Sequence, residues 1–188
     1  MRLKTTILVI AALVMLPVQS AMAQTKAELK KITDSVFAYV GVPAGTPGNA
    51  FSANAGIVIG KDAVLVVDTL TSAKEAEGFV ADIRKITDKP IRYVVDTHYH
   101  LDHALGNNVF ADMGATILSH AKCRKSVIKG GDHLLKNPAM YGLSDEFWKG
   151  THVVAADLTF EREMILVAVA EKDNRSELNS EHKPAYVA

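Results

Sequence analysis

The run Ile91-Arg92-Tyr93-Val94-Val95-Asp96 passes directly into Thr97-His98-Tyr99-His100-Leu101-Asp102-His103, and this junction constrains the chain more than any other stretch. A short apolar run rich in β-branched residues reads as a buried strand. Alternate side chains of an extended backbone share a face, so His98 and His100 are expected to point to the same side. Asp102 and His103 follow where the chain must leave the strand. The predicted outcome is a cluster of polar donors at the carboxyl end of a strand, where open α/β sheets place their chemistry.

Those residue types suit a metal. Neutral imidazole nitrogen and carboxylate oxygen are ordinary zinc ligands, and a site with an open position can activate water near neutral pH. A histidine-rich surface loop is the competing explanation. A donor pattern of His-x-His-x-Asp-His behind a buried strand favours the metal.

The motif His98-Tyr99-His100-Leu101-Asp102-His103 resembles the signature of the metallo-β-lactamase superfamily, hydrolases built as a four-layer αββα sandwich. The resemblance covers about residues 33 to 164, which corresponds to the amino-terminal half of that family. It implies an α/β fold lacking much of the second half. It also implies a zinc site of one or two ions, or of another divalent metal. His98 and His100 would bind one ion, and Asp102 and His103 would bind a second or orient the attacking water. Asp102 is the expected catalytic carboxylate. The implied reaction is metal-assisted hydrolysis of an ester, amide or lactam-like bond in a small-molecule substrate. Gly106 and Asn107 stand where the family usually has them.

The first residues address the compartment. Met1-Arg2-Leu3-Lys4 is basic, Ile7 to Val18 is apolar, and Ala21-Met22-Ala23 is a small-x-small cleavage site. That order is a secretory signal peptide over 1–23, too short for a membrane span. The mature chain should be periplasmic or secreted, without stable membrane insertion. A formal net charge of +0 leaves no basic excess for nucleic acid. The single Cys123 has no internal disulfide partner and reads as a small apolar side chain at a helix start.

Along the rest of the chain, residues 24–170 are expected to form the domain. Gln24 to Lys31 reads as a helix-prone leader, and Ser35 to Val42 as a half-buried strand. Pro43 to Asn49 is a loop, either bordering the substrate cleft, as the resemblance suggests, or simply connecting strands. Asn54 to Gly60 and Ala63 to Asp68 form a hairpin about Lys61-Asp62. Asp68 is either a turn residue or, by the resemblance, an outer partner that orients a metal-bound histidine. A helix follows, opened by Thr71 or Ser72, with Phe79, Val80, Ile83 and Ile86 on one face, and Pro90 ends it. A short helix is expected over 104–110 and a strand over 115–119. His120 is left out of the site. Residues 121–150 read as helix broken at Gly130-Gly131 and Asn137-Pro138. Met140, Tyr141, Leu143, Phe147 and Trp148 suggest packing against the sheet more than a lid.

Val153 to Met164 reads as two short strands turning at Asp157-Leu158. The family would continue with a second β-rich half carrying further ligands, and none of its motifs occurs here. Residues 171–188 are polar, without periodicity, and read as a disordered tail in which His182 is solvated. A truncated or partner-dependent fragment that binds metal weakly without catalysis is the alternative expectation. Such a half-sandwich would expose a sheet face and should self-associate through it.

Overall fold

Alternation along the central strands divides their side chains between two apolar clusters. Val64, Val66, Val94 and Ile117 join one cluster, while Leu65, Val95 and Leu118 join the other. Period-two alternation with both sets buried means a sheet covered on both faces. The computed structural model describes residues 27–42, 53–137 and 144–166, with the backbone of Tyr186 and Val187.

Seven strands form the main sheet in sequence order. They are β1 (Glu28–Lys31), β2 (Val36–Val40), β3 (Ala55–Ile59), β4 (Val64–Val67), β5 (Ile91–Asp96), β6 (Thr116–His120) and β7 (Leu158–Phe160). The first four pair antiparallel, and β4 through β7 pair parallel, so the sheet is mixed. The hairpin of β3 and β4 closes around Lys61-Asp62, as its two β-branched runs predict. Helix α1 (Ala73–Arg84) makes the crossover from β4 to β5, and Ser72 caps it by accepting from the Glu75 amide. Phe79 and Ile83 of α1 are fully buried with Phe110 in the larger cluster. Each such side chain stabilises the fold by about 1.5–3 kcal/mol. The opposite face holds Val58, Tyr93 and Met164 against Leu65, Val95 and Leu118. An apolar trough of about 350 Å³ runs along β2 and β3 as far as Val67 and Asp68.

Several expectations change. The leader is not helical at its end: Glu28–Lys31 pairs antiparallel with β2 as a charged edge strand. Pairing and the packing of Leu29 on the core outweigh helix propensity there. Helix α1 stops at Arg84, well before Pro90, and leaves Ile86 42% exposed outside its face. The helix expected over 104–110 is two pieces, α2 (Leu101–Ala104) and α3 (Asn107–Asp112), broken at Leu105-Gly106. Helix α4 (Ala121–Lys136) runs unbroken through Gly130-Gly131. A Cβ at position 131 would lie 2.7 Å from Val153 Cγ2, so the glycine permits close packing where it was read as a break. Trp148, in α5 (Asp145–Trp148), packs with Leu105 and Leu134 as part of a core, not a lid.

Val153 to Met164 is not a hairpin. Leu158 opens β7, which runs parallel to β6, and Asp157 accepts from the Ile117 amide with its carboxylate. β8 (Met164–Ile165) pairs instead with β9 (Tyr186–Val187), the only described part of the tail. The signal segment, the 43–49 loop, Met140, Tyr141, Leu143 and His182 lie outside the described residues.

Candidate functional site

β5 ends at Asp96, so His98 and His100 do not ride on the strand as expected. They lie in the bend that joins β5 to α2, and Asp102 and His103 occupy the helical turn itself. The bend still gathers the rings. The His98 imidazole centroid is 4.7 Å from that of His100 and 4.1 Å from that of His103. Asp102 Oδ2 is 3.9 Å from His103 Nε2. His98, Asp102 and His103 are half-buried, while His100 and Tyr99 are exposed.

Asp68 organises this cluster. Its Oδ1 accepts from the Thr97 amide at 2.8 Å, and its Oδ2 accepts from Thr97 Oγ1 at 2.8 Å. The same Oδ2 lies 2.7 Å from His103 Nδ1. A carboxylate only accepts, so His103 carries a proton on Nδ1, which leaves Nε2 as the nitrogen that faces the cluster. Thr97 Oγ1 has spent its proton on Asp68 and therefore accepts from His98 Nδ1 at 2.9 Å. His98 is thereby also held with its proton on Nδ1, and its Nε2 is free. Asp68 is thus a turn residue that also holds His103, the contact an outer partner of a histidine would make.

The electrostatics follow from these contacts. Burial, then the neighbouring His103 and His100 charges, hold His98 below its ordinary value and favour the neutral ring. Burial opposes protonation of His103 too, but the Asp68 hydrogen bond and the charges of Asp68, Asp102 and Asp96 together hold it above its ordinary value. Asp96 is pushed up to about 8, chiefly by burial, against the lowering effect of its Asn107 hydrogen bond. His120 caps α4: its Nδ1 accepts from the Lys122 amide and its Nε2 donates to the Glu161 carbonyl. Both its nitrogens are occupied by these contacts.

The donor chemistry fits a divalent cation, because His98 favours a neutral ring with Nε2 free, and His103, on giving up its Nε2 proton, offers a second nitrogen beside a carboxylate and a third imidazole. The placement is looser. Among the described residues no three His, Cys, Asp or Glu side chains are set around one point as a bound ion requires. Cys123, 7% exposed, packs with Ala104 and Val127 and belongs to the core.

Thr97, Thr69 and Asp96 complete the site without belonging to the histidine motif. Thr97 fixes a tautomer, and Asp96 is a buried acid with its Oδ1 unpartnered. The signal for Asp96 is in the sequence, as an acidic residue directly after the apolar Tyr93-Val94-Val95 run. Nothing in the sequence marks Thr69.

Comparison with known proteins bears on the family and the fold. Residues 48–154, more than half of the chain, match the metallo-beta-lactamase superfamily. The chain belongs to that superfamily. Its hydrolase-like fold is shared with solved metallo-beta-lactamases from Hirschia baltica and Pontibacter korlensis. The first is 19% identical with a TM-score of 0.56, over 74% of this chain and 54% of that one. The second is 16% identical with a TM-score of 0.55, over 77% and 57%. A metallo-beta-lactamase from Pseudomonas aeruginosa in a mono-zinc form is 18% identical with a TM-score of 0.54, over 76% and 55%. At such identities the likeness is one of fold. A linear primary-alkylsulfatase from Pseudomonas sp. (strain ATCC 19151) is 41% identical over 49 residues, which are 26% of this chain and 9% of that protein. This superfamily member therefore spans about half the length of the solved structures and a small fraction of the alkylsulfatase.

Proposed function

We propose that this chain is an exported hydrolase that depends on a divalent metal, zinc in the first instance. His98 and His100 would hold one ion, and Asp102 and His103 a second. One observation supports the reading above others: His98 and His103 have Nδ1 committed to Thr97 and Asp68, which leaves Nε2 free within the imidazole cluster. A cation there supplies a Lewis acid that acidifies water near neutrality and polarises the bond under attack. The chain's own residues do the rest. Asp68 and Thr97 keep two imidazoles in the binding tautomer, and Asp102, with Oδ2 3.9 Å from His103 Nε2, would take a proton from the attacking water or orient it. The substrate is a small molecule with an ester, amide or lactam-like bond. The alkylsulfatase relative adds linear primary alkyl sulfates to the first assays. Export to the periplasm or beyond rests on the order of the first 23 residues.

A second reading is favoured by the absence, among the described residues, of three donors set around one point. In it the chain binds metal weakly and turns nothing over alone, being a fragment that depends on a partner.

The deciding experiment is isothermal titration with zinc of the chain and of the His98→Ala plus His100→Ala variant. Assays of a chromogenic lactam, an aryl ester and an alkyl sulfate accompany it. Loss of a directly bound ligand exceeds the roughly 10- to 100-fold effect of its hydrogen-bonded supports, so the double variant should lose at least about 100-fold in affinity. Unchanged binding would sink the metal assignment. Binding without turnover of any of the three substrates would select the second reading.

A further inference from the structure

The turn between β4 and α1 holds two residues with side chains in the left-handed region, Asp68 at φ 63° and Leu70 at φ 69°. Such backbone persists only where its surroundings over-determine it. Here the Asp68 amide donates to the Val95 carbonyl at 2.9 Å, the Thr69 amide to the His103 carbonyl at 2.7 Å, and the Gly106 amide to the Leu70 carbonyl at 3.2 Å. One side chain ties these anchors together. Asn107 is 0% exposed, and its Oδ1 accepts from Thr69 Oγ1 at 2.9 Å. Its Nδ2 donates to Asp96 Oδ2 at 3.0 Å and to the Val154 carbonyl at 3.1 Å. The same Thr69 hydroxyl lies 3.2 Å from the His103 carbonyl.

We propose that Asn107 is a positioning residue whose amide locks the Thr69 turn so that Asp68 meets His103 Nδ1, and so sets the direction in which His103 presents Nε2. The requirement is for an amide. A carboxylate at 107 could accept from Thr69, but it has no donor for Asp96 Oδ2 or for the Val154 carbonyl. Glutamine adds a methylene where there is no space for one. Alanine would take the donor from Asp96 Oδ2 and from the Val154 carbonyl, and would leave the Thr69 hydroxyl only the longer contact to the His103 carbonyl. The inference rests on the proposed role of His103 as a ligand, but the geometry it specifies exists in the metal-free chain.

The test uses the full chain, labelled with ¹⁵N in its histidine rings and freed of metal by a chelator. His103 should show a protected, downfield Nδ1 proton in the parent protein. Thr69→Ser, which keeps the hydroxyl, should retain it. Asn107→Ala and Thr69→Val should lose it while their circular dichroism stays native, and should bind cobalt(II) about 10- to 100-fold more weakly, as supports of a ligand do. Should Asn107→Ala fail to fold, Thr69→Val decides. Retention of the protected proton in a natively folded Asn107→Ala, or its absence from the parent protein, would overturn the positioning role. A parent protein that takes up no cobalt, while the proton behaves as stated, would leave the positioning role standing and remove only the metal-hydrolase reading.

Discussion

Cys123 opens α4 with its side chain packed between Ala104 and Val127, and burial pushes its thiol up to about 11. The reacting species of a cysteine is the thiolate. With a value about two units above an ordinary cysteine, the folded chain holds roughly 100-fold less thiolate at pH 8 than an unfolded one. Iodoacetamide should therefore label the native protein slowly at pH 8, faster by about tenfold per pH unit up to about 10, and rapidly in denaturant. Mass spectrometry of the labelled peptide checks this; fast native labelling at pH 8 would place Cys123 outside the core. The linkage has a definite sign. A folded value raised above the unfolded one stabilises the fold below about pH 9, and that contribution is lost as pH rises toward 11. At this scale the histidines were legible because their types and spacing are rare. Thr69 was not, because a threonine after a strand has many ordinary uses and its partner lies 38 positions away.

The element that fixes the site's shape is the break between α2 and α3. Leu105-Gly106 lets the chain turn under the Asp68–Leu70 segment, and a Cβ at Gly106 would run into the Thr69 carbonyl oxygen and Ala76 Cβ. Both are unable to yield cheaply, since one is backbone and the other sits on a packed helix. Gly106→Ala is expected to cost about 2–4 kcal/mol through overpacking, seen as a lower denaturant midpoint. It should also weaken metal binding, because the turn it displaces carries Asp68. A variant as stable as the parent would show that the approach is looser than described. Gly131 makes the complementary point. Its close contact with Val153 explains why α4 continues through two glycines that local propensity reads as a break.

For the molecule as a whole, the expected destination is testable without any assay of chemistry. The order of basic segment, apolar run and Ala21-Met22-Ala23 predicts that protein recovered from the periplasm begins near Gln24. Amino-terminal mass spectrometry would find that peptide; an intact Met1 on protein confined to the cytoplasm would refute export. No helix among the described residues is long and apolar enough to cross a membrane. The mixed seven-stranded sheet buries apolar residues on both faces, and the cluster of His98, His100, Asp102 and His103 stands at the carboxyl end of β5 where its parallel strands open.

From the chain alone one could determine the β3–β4 hairpin, α1 with its cap narrowed to Thr71 or Ser72, the strand before the motif, and the residue types gathered between His98 and His103. Each of these is a local matter: periodicity, turn length and residue type act within about a dozen positions. Tertiary structure alone decided that Glu28–Lys31 would be a strand, that α4 would cross Gly130-Gly131, and that Leu158 would join β6 and not fold back on Val153. It also decided that Asp68 would meet Thr97 and His103, 29 and 35 positions further along the sequence. Contacts between distant segments outweigh weak local preferences because burial and buried hydrogen bonds contribute one to several kcal/mol each, whereas propensities contribute tenths.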